Sequence, residues 1–232
     1  PHIKTHKSPE LALRQLELGA CGITVAKIGE AEVMAAAGIQ DIRIAYPIVG
    51  EPKLSRLGCL LSEASISLSL DSAEAAKGLS SLAKRFGRVI RVLLEINTGL
   101  DRVGVTADHA VEAAREIASL PHIEVIGILT HEGHARREHS MQGVEVAARQ
   151  AGLYMVHIAD ELRSAGFEVS EVSVGSTPTA RAIAHVPGIT EIRPGTYIFN
   201  DYDEMTVGVA VEDTCALTVL TTVVSIPSDD RA

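Results

Sequence analysis

Ser8-Pro9-Glu10-Leu11-Ala12-Leu13-Arg14-Gln15-Leu16-Glu17-Leu18-Gly19-Ala20-Cys21-Gly22-Ile23-Thr24-Val25-Ala26 holds the repeating unit of the whole chain: a helix, a glycine, a strand. Ser8 is a good N-cap and Pro9 suits the first helical position. Gly19 supplies the left-handed residue that ends a helix and turns the chain back. Ile23, Thr24 and Val25 are a β-branched run that favours a strand. The same helix–glycine–strand order recurs at Gly38 and Gly166.

The alternation extends over most of the sequence. It predicts helices over 8–18, 29–37, 51–62, 107–119, 139–165 and a short one near 177–185. It also predicts an Ala-rich helix up to Arg85, with Asp71 as its N-cap. Strands are expected at 22–26, 42–45, 65–70, 89–96, 123–129, 169–174 and 189–192. With a stub at residues 2–5 the count is about eight. Strands and helices in strict alternation give a parallel sheet with right-handed crossovers. Eight strands within roughly 200 residues favour a closed (β/α)8 barrel of the TIM type over an open doubly wound sheet. No GxGxxG opens the first strand–helix turn, which weakens the open-sheet alternative. The rhythm stops after Pro194. Residues 207–211 and 214–226 read as β-rich without an intervening helix. The expected division is therefore an N-terminally clipped barrel over 1–205 and the incomplete start of a C-terminal β domain over 206–232.

Composition narrows the function. The 232 residues are 46% hydrophobic, enough for one large core, and carry a net charge of −9. That balance argues against nucleic acid, whose partners carry a basic footprint. No apolar run is long enough to cross a bilayer. Cys21, Cys59 and Cys215 are odd in number and form no CxxC pair, so a disulfide framework or thiolate metal site is not expected, and a cytoplasmic protein fits. With no Trp and three Phe, the core must be built from Val, Ile, Leu and Ala.

In a barrel the ends of the strands converge on one mouth. There the sequence places Lys4 and His6, Lys27, Tyr46, Asn97, Asp101 and Arg102, His131 and His134, Gly175-Ser176-Thr177, and Arg193-Gly195-Thr196-Tyr197. A lysine held among apolar walls can lose its proton and form a Schiff base; for Lys4 and Lys7 the plain alternative is a solvated surface charge. Gly175-Ser176-Thr177-Pro178-Thr179 offers N–H groups and hydroxyls ahead of a helix, as an anion cradle or as an ordinary capping turn. Arg193-Pro194-Gly195-Thr196 repeats the idea one strand later. His131 is a ligand-facing or a core histidine. His131-Glu132-Gly133-His134 lacks one spacer residue of the zincin HExxH motif, so no metal is assigned there. Arg136, Arg137 and His139 read most simply as solvated charges, although Arg136 and Arg137 lie near the mouth, and Cys21 and Cys59 read as inert.

A Schiff-base lysine opposite a phosphate cradle suggests pyridoxal phosphate (PLP). Pro1-His2-Ile3-Lys4-Thr5-His6-Lys7, Gly175-Ser176-Thr177-Pro178-Thr179 and Glu191-Ile192-Arg193-Pro194-Gly195-Thr196-Tyr197-Ile198-Phe199 resemble the D-threonine aldolase and D-serine dehydratase branch of the alanine racemase-like, fold-type III PLP enzymes. The resemblance spans essentially the whole chain in the right order. It implies that Lys4 is the PLP lysine and, once freed, a general base. It implies that Arg102, in Asn97-Thr98-Gly99-Leu100-Asp101-Arg102-Val103-Gly104, approaches the phenolic oxygen, and that His131 lies beside the ring. Ser176, Thr177, Gly195 and Thr196 would hold the phosphate, Arg193 the pyridine nitrogen, and Tyr197 matches the tyrosine of that turn.

The implied activity is that of a lyase on D-β-hydroxy amino acids, by retro-aldol cleavage or by loss of the β-hydroxyl. An amino-acid racemase, a non-enzymatic PLP-homeostasis protein and a PLP-free Schiff-base aldolase are the alternatives. The resemblance further implies a homodimer, and a divalent metal (Zn or Mn) carried by a His-x-Asp or His-x-Cys pair in a C-terminal domain beyond this barrel.

Overall fold

The computed structural model describes residues 1–231. Seven parallel strands lie in sequence order: β1 (Ile23–Val25), β2 (Asp41–Ile44), β3 (Ser65–Leu70), β4 (Ile90–Glu95), β5 (Ile123–Leu129), β6 (Glu171–Val174) and β7 (Glu191–Ile192). The predicted eighth strand is reduced to a single bridge, His2 with Thr24. It nevertheless closes the barrel. Ile3 N–H donates to Thr24 O at 2.9 Å on the β1 side, and His2 N–H donates to Pro194 O at 2.9 Å on the β7 side. The opening residues thus join the two edges, leaving little unpaired backbone there.

Helices α1 (Pro9–Glu17), α2 (Ile28–Ala36), α3 (Glu51–Glu63), α4 (Ala73–Phe86), α5 (Ala107–Ala118), α6 (Met141–Ser164), α7 (Ala180–Ile183) and α8 (Tyr202–Thr206) follow. Ser8 caps α1, accepting from Leu11 N–H at 3.3 Å. The cap of α4 is Ser72 rather than Asp71. The Asp71 carboxylate instead accepts the Gly104 N–H at 3.3 Å and ties down the loop after β4. The long pattern 139–165 is α6, capped by Ser140, and a 3-10 helix, Gly133–Glu138, that the sequence did not signal precedes it. The expected helix 177–185 shortens to the four residues of α7.

The sheet separates two interiors. Ile42, Ile44, Leu68, Leu70, Val92, Leu94, Val172 and Val174 face outward and join the helices in the main apolar core. Inside the barrel the apolar packing is small: Leu93, Ile126 and Leu129. The rest of that interior is polar. Arg43 is buried, with Nε donating to Ser67 Oγ at 3.2 Å and Nη1 to Ser173 Oγ at 3.3 Å, and its guanidinium pairs with Glu171 and Glu191. The polar face of Ser65–Leu70, which reads in sequence like a solvent face, is thus turned into the barrel: Ser67 and Ser69 are buried.

The β-structure expected at 207–211 and 214–226 is not formed. A 3-10 turn, Glu212–Thr214, is the only helix after α8, and no described residue beyond β7 lies in a strand. Leu217, Val219, Leu220, Val224 and Ile226 are exposed. A strand needs a hydrogen-bonding neighbour to persist, and apart from the isolated bridge between Ser228 and Arg231 this segment meets none among the described residues. Among the described residues no helix is long and apolar enough to cross a membrane.

Candidate active site

Lys4 leaves the closing bridge in a tight turn. His6 and Lys7 N–H both donate to Ile3 O, at 3.1 and 2.8 Å. Ile3 is fully buried and anchors the turn. Lys7 takes a left-handed φ of 53° and its Nζ donates to Lys4 O at 2.7 Å, so it supports the turn from outside. Lys4 itself lines a cavity of about 470 Å³ at the C-terminal ends of the strands. Burial, foremost, and then the Arg102, Arg136 and Arg193 charges pull its amine below the ordinary lysine range, with Glu30 opposing.

The cavity brings together Lys4, Arg102, His131, Ser176, Thr177, Arg193, Gly195 and Thr196, eight of the nine residues singled out from the sequence. Tyr197 is the ninth. Its phenol turns to α1, where it accepts from Gln15 Nε2 at 2.6 Å, while its backbone N–H donates to Thr177 Oγ1 at 3.0 Å. Its main chain therefore braces the cradle and its ring does not line it. His6, Lys27 and Tyr46 are not among the lining residues, and His134 faces a neighbouring pocket.

Arg102 is set by a loop that Asn97 organises: Asn97 Oδ1 accepts from Gly99 and Asp101 N–H at 3.0 and 3.2 Å. Arg193 is buried, donating to Ser173 Oγ and Thr130 O, so its head is fixed beneath the cavity. His131 follows β5, and its Nδ1 lies 3.3 Å from Gly175 O. Burial, with the Lys4 and Arg102 charges, lowers its pKa to about 4 against the pull of Glu132, so the ring is neutral at pH 7.

The turn 175–179 presents its polar atoms differently from expectation. Helix α7 is too short to act as a dipole; the donors are turn N–H groups and hydroxyls. Gly175 has φ +130°, and a Cβ there would lie 2.6 Å from Arg193 N. A Cβ on Gly195 would lie 2.8 Å from His2 O. Both turns therefore need glycine, the first to pass the backbone leaving β7 and the second to pass the chain on either side of Lys4.

Four residues in or beneath the cavity escape the sequence reading as functional, three of them lining it. His2, two positions before Lys4, is pushed down to about 2 by burial and by Lys4, Arg193 and His131; the alternation of the opening strand could have found it. Glu95, at the end of β4, is buried beside Ser69, and burial pushes its carboxyl up. Glu132 is fully buried beneath the 175–179 turn. Arg136, read as a solvated charge, reaches the mouth and pairs with Asp203 at 3.2 Å and with Glu204 of α8. In His131-Glu132-Gly133-His134 the first two side chains are engaged by the turn at Gly175. No cluster of three or more His, Cys, Asp or Glu able to hold a metal exists among the described residues.

The profile of the family described as "Alanine racemase, N-terminal domain" matches residues 1–203. The chain belongs to this family. As a member of the alanine racemase N-terminal domain family it is 37% identical, over its full length, to a D-threonine aldolase of Arthrobacter sp., of which it covers 62%. It is 35% identical over 99% of its length to the D-threo-3-hydroxyaspartate dehydratase of Delftia sp. (strain HT23), of which it covers 61%. The crystal structure of D-threonine aldolase from Filomicrobium marinum superposes with a TM-score of 0.85 at 32% identity, covering 89% of this chain and 56% of that one. An alanine racemase of Clostridium difficile 630, at 21% identity and TM-score 0.69, shares the fold. The chain thus spans about three fifths of the length of these two curated relatives.

Proposed function

We propose that this barrel binds PLP on Lys4 and supplies the cofactor site of a lyase that acts on D-β-hydroxy amino acids. The observation that carries the reading is one cavity holding a lysine of lowered pKa together with two glycine-dependent turns, 175–177 and 195–196. The residues fit the cofactor. A phosphate would lie against these small turns, and a Cβ at Gly195 would press on His2 and Thr5, on either side of Lys4. Glu95, buried in the cavity wall near Ser69, supports the reading as a polar group that a ligand could meet.

When bound, PLP draws electrons from the bond that breaks at the substrate Cα. The chain's own residues do the rest. The lowered pKa of Lys4 keeps a larger share of its amine unprotonated near neutral pH, ready to attack a carbonyl and later to take a proton. Arg102 would offer positive charge to a ring oxygen. Arg193, held by Ser173 and Thr130, would present a cation to a ring nitrogen and disfavour its protonation. His131, neutral at pH 7, would face the ring without adding charge. Ser176 and Thr177 hydroxyls and the Gly195–Thr196 backbone hold the phosphate.

The relatives' names divide between aldolase and dehydratase, and both reactions begin with these steps. No described group of residues fits the divalent metal, and no step is assigned to it. We further propose that residues 206–232 open a second, β-rich domain, as the resemblance implies. Homodimerisation rests on the resemblance alone, and a reducing cytoplasmic setting on the three free cysteines.

The test uses the full-length protein that contains this barrel, loaded with PLP and Mn²⁺ or Zn²⁺. It is offered D-threonine, D-serine and D-threo-3-hydroxyaspartate, each beside its L enantiomer. Aldehyde release or ammonia release from the D forms alone is expected. Turnover of L forms, or interconversion of D- and L-alanine with neither release, would contradict the assignment.

A further inference from the structure

The most fully engaged acid near the cavity belongs to none of the roles above. Glu132 is wholly buried at the foot of the anion cradle. A buried carboxylate is costly unless each oxygen is satisfied. Here both are: Oε2 accepts the Gly175 N–H at 2.9 Å, and Oε1 accepts the Thr179 hydroxyl. Thr179 Oγ1 in turn accepts Ser176 N–H at 3.2 Å. One carboxylate therefore grips both ends of the five-residue turn. Gly175, held by its N–H, directs its carbonyl at His131 Nδ1, 3.3 Å away. A carbonyl only accepts, so the ring nitrogen facing it must carry the proton. The other nitrogen, Nε2, lies on the side of Gly133, where a Cβ would come within 3.0 Å of it.

We propose that Glu132 is the positioning residue of this site: it sets the cradle turn and, through the Gly175 carbonyl, fixes His131 as the Nδ1–H tautomer with Nε2 an acceptor toward the cavity. His131 then presents the Nε2 lone pair, as an acceptor, to whatever lies beside it. The ordering of the cradle and the state of the histidine are one device, because the same residue, Gly175, serves both: its N–H binds Glu132 and its C=O faces His131. The proposal rests on the cavity being an anion site and not on which amino acid it processes.

The test reads the protein without cofactor. The ¹⁵N shifts of His131 report its tautomer, and inorganic phosphate serves as the probe of the cradle. In the unsubstituted chain Nδ1 should be protonated and Nε2 bare. In Glu132→Gln the amide can accept from only one of the two donors and turns its NH₂ on the other. The loss of a charged hydrogen bond predicts phosphate binding weakened about tenfold or more, and a His131 signal shifted toward a tautomer mixture. A merely structural role would not move the ¹⁵N pattern of a folded variant. A folded Glu132→Gln protein with phosphate affinity within about twofold and an unchanged tautomer would overturn the proposal, as would an Nε2–H tautomer at the outset. If Glu132→Gln does not fold, Thr179→Val decides. It keeps the shape and removes one donor, so phosphate should weaken several-fold, and unchanged affinity overturns the proposal. Reaction of PLP with Lys4 is measured separately. Its failure would remove the cofactor reading and leave the phosphate and tautomer results standing.

Discussion

Replacing Gly175 by alanine strikes the point where the cradle meets the sheet. At φ +130° an L side chain is strained, at a cost of about 1–3 kcal/mol. The new Cβ would also lie 2.6 Å from Arg193 N and 3.4 Å from Arg193 Cα. Those atoms belong to the backbone leaving β7, which cannot rotate aside, and such crowding costs about 1–3 kcal/mol more. Arg193 N–H is the donor of the last β6–β7 bond, to Val174 O at 2.9 Å; displacing it forfeits about another 1 kcal/mol. The sum is about 3–7 kcal/mol, a large part of the ~5–15 kcal/mol that holds a typical domain together.

Gly38→Ala is the control. Its φ is +89° but no atom lies within 4 Å of the added Cβ, so only the backbone strain applies. Urea unfolding followed by circular dichroism should therefore place Gly175→Ala below Gly38→Ala by about 2–4 kcal/mol, a midpoint difference of about 1–2 M. Equal midpoints would refute the reasoning, since they would mean that the turn relaxes away from β7 without cost.

Three further outcomes are expected. His2 and His131 titrate near 2 and 4 in the folded chain, against 6.5 when free, so between pH 6.5 and 4 the unfolded state binds more protons and stability falls as pH drops. The slope is up to about 1.4 kcal/mol per pH unit for each ring, and His131→Asn should remove its share; a slope unchanged by that substitution contradicts the assigned shift. Arg136→Gln leaves Glu204, fully buried, without its cation. Discounting for the partial exposure of Arg136, the cost is about 1–3 kcal/mol, read as faster amide exchange over Asp201–Val207 ahead of the barrel; uniform exchange would show that the pair does not hold α8. Gly195→Ala should weaken phosphate binding by displacing His2 and the Lys4 turn, which a titration with inorganic phosphate measures; undiminished affinity would place the anion elsewhere.

The barrel was legible because its signals are local. Ser8 and Pro9 open a helix, Gly19, Gly38 and Gly166 close helices, and the β-branched runs sit between them. Asp71 and Ser72 compete for one cap, and only the loop after β4, which needs the Asp71 carboxylate for Gly104, decides the winner. The segment 207–226 carries strand propensity, but a strand is a pairing and propensity alone supplies no partner. The lining cations and turns were legible from their place after each strand. Glu95, Glu132 and Arg136 were not, because an acid or arginine on a strand end or loop reads as solvated until the fold shows what surrounds it. The polar barrel interior had the same fate: Arg43 pairs with glutamates some 130 to 150 residues away, and Ser67 looks like any exposed serine until the sheet closes.

The central claim is that Lys4 is the residue this cavity offers to PLP. Purified protein is mixed with PLP, its visible spectrum is recorded, the sample is reduced with borohydride, and the modified peptide is mapped. The account predicts an absorption band lost on reduction, label on Lys4, and neither in Lys4→Ala. Label on Lys7 or spread over surface lysines, with the same band in Lys4→Ala, would contradict it.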